Sequence, residues 1–465
     1  MLEPLVRSNL QRWLRLYDRL PAPARNLATS TRGWLLSRIR YAPSTFAILD
    51  GLREHESWTP AEISSYQLAR AQRTLDCARR TVPFYSSYPS LQLRSLEDLR
   101  SLPILRREVV RSNQEHFVSG AVRRSDLIRA GTTGTTGSNL RVAYTEEALR
   151  HNWAFLLRQW SWAGVGPREP RVTLYGSRIV PANQSTPPYW AFNLPERQVL
   201  LSIFHLSERT APTYLEFLRR QQGKILEGFP SVLGILADFL LRRGETIPMR
   251  VAFTSGEPLY ASVRRNIEQA FQTRIFDSYG MTEFCGLIQE CERGTMHLIP
   301  DYGFLEIVDD RGEPVQEEQE GHLVWTGFIN PAMPLIRYQI GDRGISLAGT
   351  RCRCGRSFPV VVPTITRESD ILRCPDGRLF SPRALNQLLK ESSALRFCQF
   401  VHDQRERVVV RAVAGNGRAL DDLMRIRGQL QELLGPQITV TAGLASEPLA
   451  GPGGKIALIL NRVEQ

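Results

Sequence analysis

Between residues 127 and 300 the chain alternates short apolar runs ending in Gly-rich turns with longer amphipathic stretches, and nothing else restricts its fold as tightly. The runs VTLYG, GKILEGFPS, RVAFTSGEPL and RIFDSYGMTE have strand length and break at glycine, serine or proline. Between them TEEALRHNWAFLLRQWSWAG and SVLGILADFLLRRG repeat apolar residues at helical spacing. Such alternation predicts a layered α/β domain. After residue 300 the pattern turns β-rich, with FLEIVDD, a DRGEP turn, GHLVWTGF and IRYQIGD. The last hundred residues read strand, helix, strand, helix, strand through ESDILRC, SPRALNQLLKES, VVVRAVAG, LDDLMRIRGQLQELLG and GKIALILNRV. A small α+β domain, 367–465, is therefore expected behind a large α/β domain with a β-rich subdomain, 1–366.

Before the alternation starts, Leu2, Leu5, Val6, Leu10, Trp13, Leu14, Tyr17 and Leu20 fall at helical spacing with arginines between them. Pro21 and Pro23 are expected to end this basic amphipathic helix, which can lie on anionic lipid or pack on its own domain. A second helix is predicted over 62–80, and a lightly broken helical segment over 96–117.

Composition excludes several classes. With 42% hydrophobic and 23% charged residues the chain has enough apolar surface for a core and no long disordered tract. Seven cysteines, two of them one residue apart in RCRCGR, argue against a secreted disulfide framework and favour a reducing cytoplasm. No run reaches the roughly 18 apolar residues of a membrane span, and no export signal is evident. The net charge of +12 reflects a bias to arginine, since only Lys224, Lys390 and Lys455 of 59 basic residues are lysine. A solvated arginine surface explains that charge better than a nucleic-acid face. In such a background each lysine is informative, because an ammonium differs from a guanidinium in shape and reach.

Four motifs can carry chemistry. AGTTGTTGSNL packs Thr132, Thr133, Gly134, Thr135, Thr136, Gly137 and Ser138 into one turn whose amides and hydroxyls can cradle phosphate, although a flexible linker has the same composition. It lacks the GK[ST] of a Walker A loop. DSYGMTEF sets Ser278, Tyr279, Gly280, Thr282 and Glu283 at a strand end, where an aromatic ring can stack on a base and a carboxylate can hold Mg²⁺. PLIRYQIGD presents Asp342, able to accept from both hydroxyls of a ribose. GPGGKIALILNR places Lys455 behind three glycines, on a loop suited to carrying a cation to a phosphoryl group, or simply an exposed turn.

A fifth group has another character. Cys291 and His297 in CERGTMH, with Cys352 and Cys354 in RCRCGR, supply the three thiols and one imidazole of a closed structural zinc site. Four protein ligands leave no open position, so its role would be to staple two β loops. Cys77, Cys285, Cys374 and Cys398 read as packed thiols. His205 either approaches an acyl pocket or is a satisfied core histidine. Trp153, Trp160, Trp162 and Trp190 mark an aromatic-rich neighbourhood for such a pocket, or core.

The order TTGTTGS, SGEP, SYGMTE, RYQIGD, TRESD and GGK resembles the adenylate-forming superfamily over nearly the whole chain, in the branch of phenylacetate-CoA ligases and their CapK-like and coenzyme F390 synthetase relatives. The early VPFYSSY and the stretch from Pro187 to Leu233 look more like the capsule-type relatives. The resemblance implies an adenylate-forming (ANL) fold with a mobile C-terminal domain. It implies that Thr132 to Gly137 hold the ATP phosphates, and that Ser255, Gly256, Glu257 and Pro258 with Ser278, Tyr279 and Gly280 frame the nucleotide. By the same resemblance Thr282 touches the α-phosphate, Glu283 binds Mg²⁺, Asp342 holds the ribose, Arg367 reaches the same nucleotide, Ser369 sits at the hinge and Lys455 is catalytic. Similar Cys and His pieces are thought to bind zinc in this branch. Departures include Ser369 where Asp or Lys is usual, GSN closing the phosphate loop, and GPGG before the lysine. The implied activity is ATP-dependent activation of a carboxylic acid to an acyl adenylate, followed by transfer to coenzyme A. Transfer to an amine or hydroxyl, transfer of AMP, or an inactive zinc-stapled binding protein are the alternatives.

Overall fold

The computed structural model describes residues 17, 20–131, 140–176, 179–181, 184–207, 209–347, 349–364, 372–373, 379–380, 385, 388–389, 392, 394–450 and 456–463. Three helices open this part of the chain: α1 (Ala22–Arg40), α2 (Pro43–Glu54) and α3 (Pro60–Thr81). Of the basic amphipathic helix expected before α1, residues 1–16, 18 and 19 lie outside the described residues. Pro21 and Pro23 begin α1, with Pro21 as its N-cap. Proline fits there because the first amides of a helix have no intrahelical acceptor to lose. The start of α3 is fixed by a capping box in which Glu62 N donates to Thr59 Oγ1 at 3.3 Å and Thr59 N to Glu62 Oε2 at 2.8 Å. Its buried stripe, Ile63, Gln67, Ala71, Leu75 and Ala78, keeps the spacing of one helix face. The 96–117 segment is broken as expected, into 3₁₀ turns at Leu96–Ser101 and Gln114–Phe117 around a short helix, Arg107–Ser112.

The predicted alternation forms one eight-stranded sheet. Its strands in chain order are β1 (Arg171–Leu174), β2 (Trp190–Asn193), β3 (Gln198–Leu201), β4 (Ile225–Gly228), β5 (Val251–Ser255), β6 (Ile275–Gly280), β7 (Leu287–Glu290) and β8 (Met296–Leu298). They lie in the order β8-β7-β6-β5-β4-β1-β3-β2. The central pairs β3/β1, β1/β4, β4/β5 and β5/β6 are parallel, and the outer pairs antiparallel. Helices α4 (Glu146–Trp162), α5 (Ala211–Arg219), α6 (Pro230–Arg242) and α7 (Ala261–Phe271) cover it. Alternate strand residues point to opposite faces. Val172, Leu174, Leu226 and Ala252 join a core with α5, α6 and α7, whereas Phe253 stacks on Trp160 of α4 with ring centroids 5.6 Å apart. Because β1, β4, β5 and β6 run parallel, Leu174, Gly228, Ser255 and Gly280 end along a single edge, the edge where open α/β sheets receive ligands.

The β-rich part is a five-stranded sheet in the order Leu105–Arg106, Tyr338–Ser346, Glu320–Gly327, Gly303–Val308, with Val361–Pro363 beside Tyr338–Ser346. Beyond residue 394 a four-stranded sheet (Thr439–Ala445, Arg407–Ala414, Leu395–Gln404, Ile459–Asn461) packs against α8 (Ala419–Leu434). This sheet and helix have a separate core that includes Phe400, Val408, Val410, Leu423, Ile426 and Leu430.

Candidate active site and metal centre

SGEP, DSYGMTEF and PLIRYQIGD meet at the carboxyl edge of the eight-stranded sheet. Ser255 at the end of β5 lies in register with Ser278 of β6, which places SGEP beside SYGMTE. Gly256 turns the chain out of β5 with a φ of +78°, a conformation glycine adopts without a Cβ clash. That turn brings Glu257 back over the first turn of α6, where its Oε2 accepts from Ser231 N at 3.1 Å. Its Oε1 accepts from Ile456 N at 3.3 Å, so the residue directly after Lys455 touches the nucleotide motif.

Two tyrosine–carboxylate pairs tie DSYGMTEF to PLIRYQIGD. Tyr279 Oη donates to Asp342 Oδ2 at 2.8 Å, and Tyr338 Oη donates to Glu283 Oε1 at 3.0 Å. All four residues are buried. Burial pushes the Tyr338 phenol well up, and the neighbouring Glu283 charge adds to it, so this hydroxyl stays a donor. Tyr338 and Asp342 share one face of Tyr338–Ser346, four residues apart. The turn carrying Thr282 is held from the other side: Tyr144 Oη donates to the Thr282 carbonyl, and the Tyr144 ring lies 4.5 Å from that of Phe284. Tyr144 belongs to a hairpin, Ile128–Gly131 with Arg141–Tyr144, whose connecting residues 132–139 carry the Thr/Gly motif. Below the edge, burial raises the Asp277 carboxyl to about 7; Thr254 Oγ1 donates to it at 2.6 Å, and Glu290 adds a like charge.

Ser255, Gly256, Glu257, Pro258, Ser278, Tyr279, Gly280, Thr282, Glu283 and Asp342 thus belong to one connected region. Thr132, Thr133, Gly134, Thr135, Thr136, Gly137, Arg367, Ser369 and Lys455 lie outside the described residues. Tyr144, Tyr175 and Tyr338 were not anticipated. Tyr338 carried a signal in its i, i+4 spacing to Asp342 on a strand; Tyr144 carried none.

His205 proves to be a satisfied histidine, with Nδ1 2.8 Å from Ser202 Oγ and Nε2 3.0 Å from the Pro181 carbonyl. The tryptophans are packing groups. Trp160 and Trp162 are buried, Trp190 stacks on Phe217 at 4.1 Å, and Trp153 lies 4.3 Å under the Arg40 guanidinium. Cys77, Cys285 and Cys398 are free thiols, and Cys374 lies outside the described residues.

The cysteine–histidine group is a second, separate cluster. The Cys291, Cys352 and Cys354 sulfurs and the His297 nitrogen all lie within 4.8 Å of one another. Cys291 closes β7, His297 lies on β8, and Cys352 and Cys354 come from the loop before Val361–Pro363, so two β loops meet here. The His297 Nδ1 sits 2.8 Å from the Phe358 carbonyl, a bond that leaves Nε2 facing Cys354 Sγ at 3.4 Å. Backbone amides of Arg293 and Cys354 donate to the Cys291 and Cys352 sulfurs at 3.3 and 3.4 Å. Burial acts to raise the Cys352 thiol, but bonds to Thr295, Cys354 and His297 outweigh it and bring it down to about 6. Three thiolate-capable sulfurs and one oriented imidazole fit a tetrahedral zinc ion.

Residues 132–330 match the family described as AMP-binding enzyme. Protein CapK of Staphylococcus aureus is 23% identical over 467 residues, covering 97% of this chain and 99% of that protein. A phenylacetate-coenzyme A ligase of Thermus thermophilus is 27% identical over 69% of this chain and 73% of its own length. Among solved structures, a 2-hydroxyisobutyryl-CoA ligase in its postadenylation state superposes with a TM-score of 0.69 at 19% identity, over 88% of this chain and 91% of that one. Among the described residues no helix is long and apolar enough to cross a membrane. The matched region is similar to AMP-binding enzymes, the full-length relative makes the chain similar to CapK, and its fold is that of the adenylate-forming 2-hydroxyisobutyryl-CoA ligase.

Proposed function

We propose that the protein uses ATP to convert a carboxylic acid to an acyl adenylate and passes the acyl group to the thiol of coenzyme A. The observation that carries this reading is the Glu257 carboxylate, which bonds at once to the α6 N-terminus and to the backbone of Ile456, next to Lys455. A loop from the C-terminal sheet thereby reaches the nucleotide motifs.

In this reading the Thr132 to Gly137 turn and the α6 N-terminus receive anionic groups, as turns rich in amides and helix starts do. Asp342, oriented by Tyr279, holds the ribose. Glu283, oriented by Tyr338, is the ligand for Mg²⁺, which when bound offsets phosphate charge. The substrate carboxylate attacks the α-phosphorus in line, pyrophosphate leaves, and Lys455 offsets charge growing on the phosphoryl oxygens. Residues 367–465 act as a mobile domain that turns about the segment around Ser369, withdrawing Lys455 and admitting the acceptor. The Cys291, His297, Cys352 and Cys354 cluster holds structural zinc, clamping the β7–β8 hairpin to the loop before Val361.

Pyrophosphate release from purified protein, ATP and a panel of acids, run with and without coenzyme A, tests the reading. Acid-dependent release followed by thioester formation is expected. Release without any thioester would move the acceptor to an amine or hydroxyl, and absence of ATP binding would end the adenylation reading.

A further inference from the structure

A cavity of about 200 Å³ lies between α1 and the face of the eight-stranded sheet formed by β1 and β3. It has two unlike walls. Leu36, Ile179 and Leu200, the last in register with Thr173, make the apolar lining, whereas Asn193, Gln198, Thr173 and the arginines Arg32 and Arg40 make the polar one. The polar wall includes a hydrogen-bonded chain: Asn193 Nδ2 donates to Gln198 Oε1 at 3.0 Å, Gln198 Nε2 to Thr173 Oγ1 at 2.8 Å, and Thr173 Oγ1 to Glu227 Oε2 at 2.7 Å.

This chain is incompletely used. Each amide nitrogen carries two hydrogens, and the bonds among the described residues occupy one on Asn193 and one on Gln198. The Asn193 Oδ1 is buried and accepts no hydrogen bond, in a residue only 4% exposed. Buried polar groups left unmatched are costly, and the spare amide hydrogens of Asn193 and Gln198 are the ones a bound acceptor would satisfy. The lid over this wall is close fitting, since a Cβ on Gly33 of α1 would come within 1.7 Å of that same Oδ1.

One end of the cavity adjoins the nucleotide motifs. Tyr175, which follows β1 and lines the cavity, has its hydroxyl 3.2 Å from Ser255 Oγ. An acid whose carboxylate sits by Ser255 therefore has room for its remaining carbons beneath α1.

We propose that this cavity is the acyl chamber and that it selects compact aliphatic acids bearing hydroxyl groups along one edge, over aryl and fatty acids. The inference rests on the adenylating reading above. The hydrocarbon side of such an acid meets Leu36, Ile179 and Leu200, and its hydroxyls accept from the spare amide hydrogens of Asn193 and Gln198. A phenyl ring or a long alkyl chain would leave those polar groups buried and unmatched, which is how a hydrogen-bonding site rejects analogues that lack the group.

The test compares pyrophosphate release by the full chain for hydroxylated acids of about three to six carbons, their deoxy counterparts, phenylacetate and octanoate, a size range set by the small cavity. Each hydroxylated acid is expected to exceed its deoxy partner at least ~10-fold in kcat/KM. Thr173→Val and Gln198→Leu should bring that ratio towards one while leaving the KM for ATP unchanged, and Thr173→Ser should keep it. Thermal melts of each variant identify loss of folding. Deoxy or aryl acids preferred by the native protein, or a ratio unmoved in both folded variants, overturns the proposal. If ATP binds by calorimetry but no hydroxylated acid releases pyrophosphate, the substrate class alone is wrong; if ATP does not bind, the adenylating reading falls with it.

Discussion

The edge of the eight-stranded sheet and the cysteine–histidine cluster both gather distant residues, but they are finished in different ways. At the sheet edge buried carboxylates accept from tyrosine hydroxyls, as in Tyr279 with Asp342 and Tyr338 with Glu283. A carboxylate can accept several hydrogen bonds at once, the chemistry that a ribose or a cation requires. In the cluster, four ligand atoms converge within 4.8 Å of one another, while the outer nitrogen of His297, the Thr295 hydroxyl and the amides of Arg293 and Cys354 hold them from behind. A region built to exchange ligands uses groups of variable coordination, whereas one built to clamp loops gathers a fixed set. The experiments below separate those two designs.

The largest effect is expected at Lys455. Replacing it with alanine should slow adenylate formation by about 10²-fold or more, the scale of losing a preorganised charge at a reacting oxygen. Thioester formation from supplied acyl adenylate should stay within a few fold of native. Single-turnover assays of the two steps make the comparison, and equal loss of both would contradict a role confined to activation.

The cluster should answer with stability rather than with chemistry. Cys352→Ser, or dialysis against a strong chelator, is expected to release bound zinc and lower Tm by several degrees, because a structural metal contributes to folding directly. Elemental analysis and a melting curve measure this. Retention of native Tm after metal loss would show that the loops need no clamp.

Glu257 should give a smaller, functional effect. Glu257→Ala removes the acceptor for both Ser231 N and Ile456 N, and about a tenfold slower activation is expected from a loosened docking geometry. The Tm should change little, since the rest of α6 is packed on its own core. Unchanged activation would mean that the 456 contact does not position the lysine loop.

Much of this arrangement was legible in advance because the alternation of strand-length and helix-length segments has a local cause. β1, β4, β5 and β6 fall where VTLYG, GKILEGFPS, RVAFTSGEPL and RIFDSYGMTE are written, and α4 and α6 follow their apolar spacing. The four members of the cysteine–histidine cluster could be chosen by type, because three thiols and an imidazole have few other reasons to meet. Helix α1 was missed, since Pro21 and Pro23 stop a helix and start one equally well, and only the chain beyond them decides. The hairpin β2/β3 was missed too, since the turn between its strands, Leu194 to Arg197, carries none of the glycines that marked β1 and β4. Tyr144 and Tyr175 escaped notice for a related reason: their hydroxyls act on Thr282 and Ser255, 138 and 80 residues away, and no local pattern announces such a partner.

The smallest effect, and the one that discriminates best between an open edge and a merely packed one, concerns Asp277. Burial and the Glu290 charge raise its folded-state carboxyl to about 7, against 3.8 ordinarily. Between about pH 4 and 7 the folded protein keeps a proton that the unfolded chain has lost, so stability falls as pH rises through that window and levels off above it. Asp277→Asn preserves an acceptor for Thr254 Oγ1 but cannot ionise, so the native-minus-variant difference in Tm should grow more unfavourable to the native protein from pH 5 to 7.5. The same carboxyl lies two residues before Tyr279, and its ionisation puts charge under the strand end that presents Tyr279 to Asp342. Nucleotide affinity measured over the same pH range should therefore weaken above about 7 in the native protein and stay flat in Asp277→Asn. A Tm difference with no matching change in affinity would assign the buried acid to the sheet alone, and would leave the open edge independent of what lies beneath it.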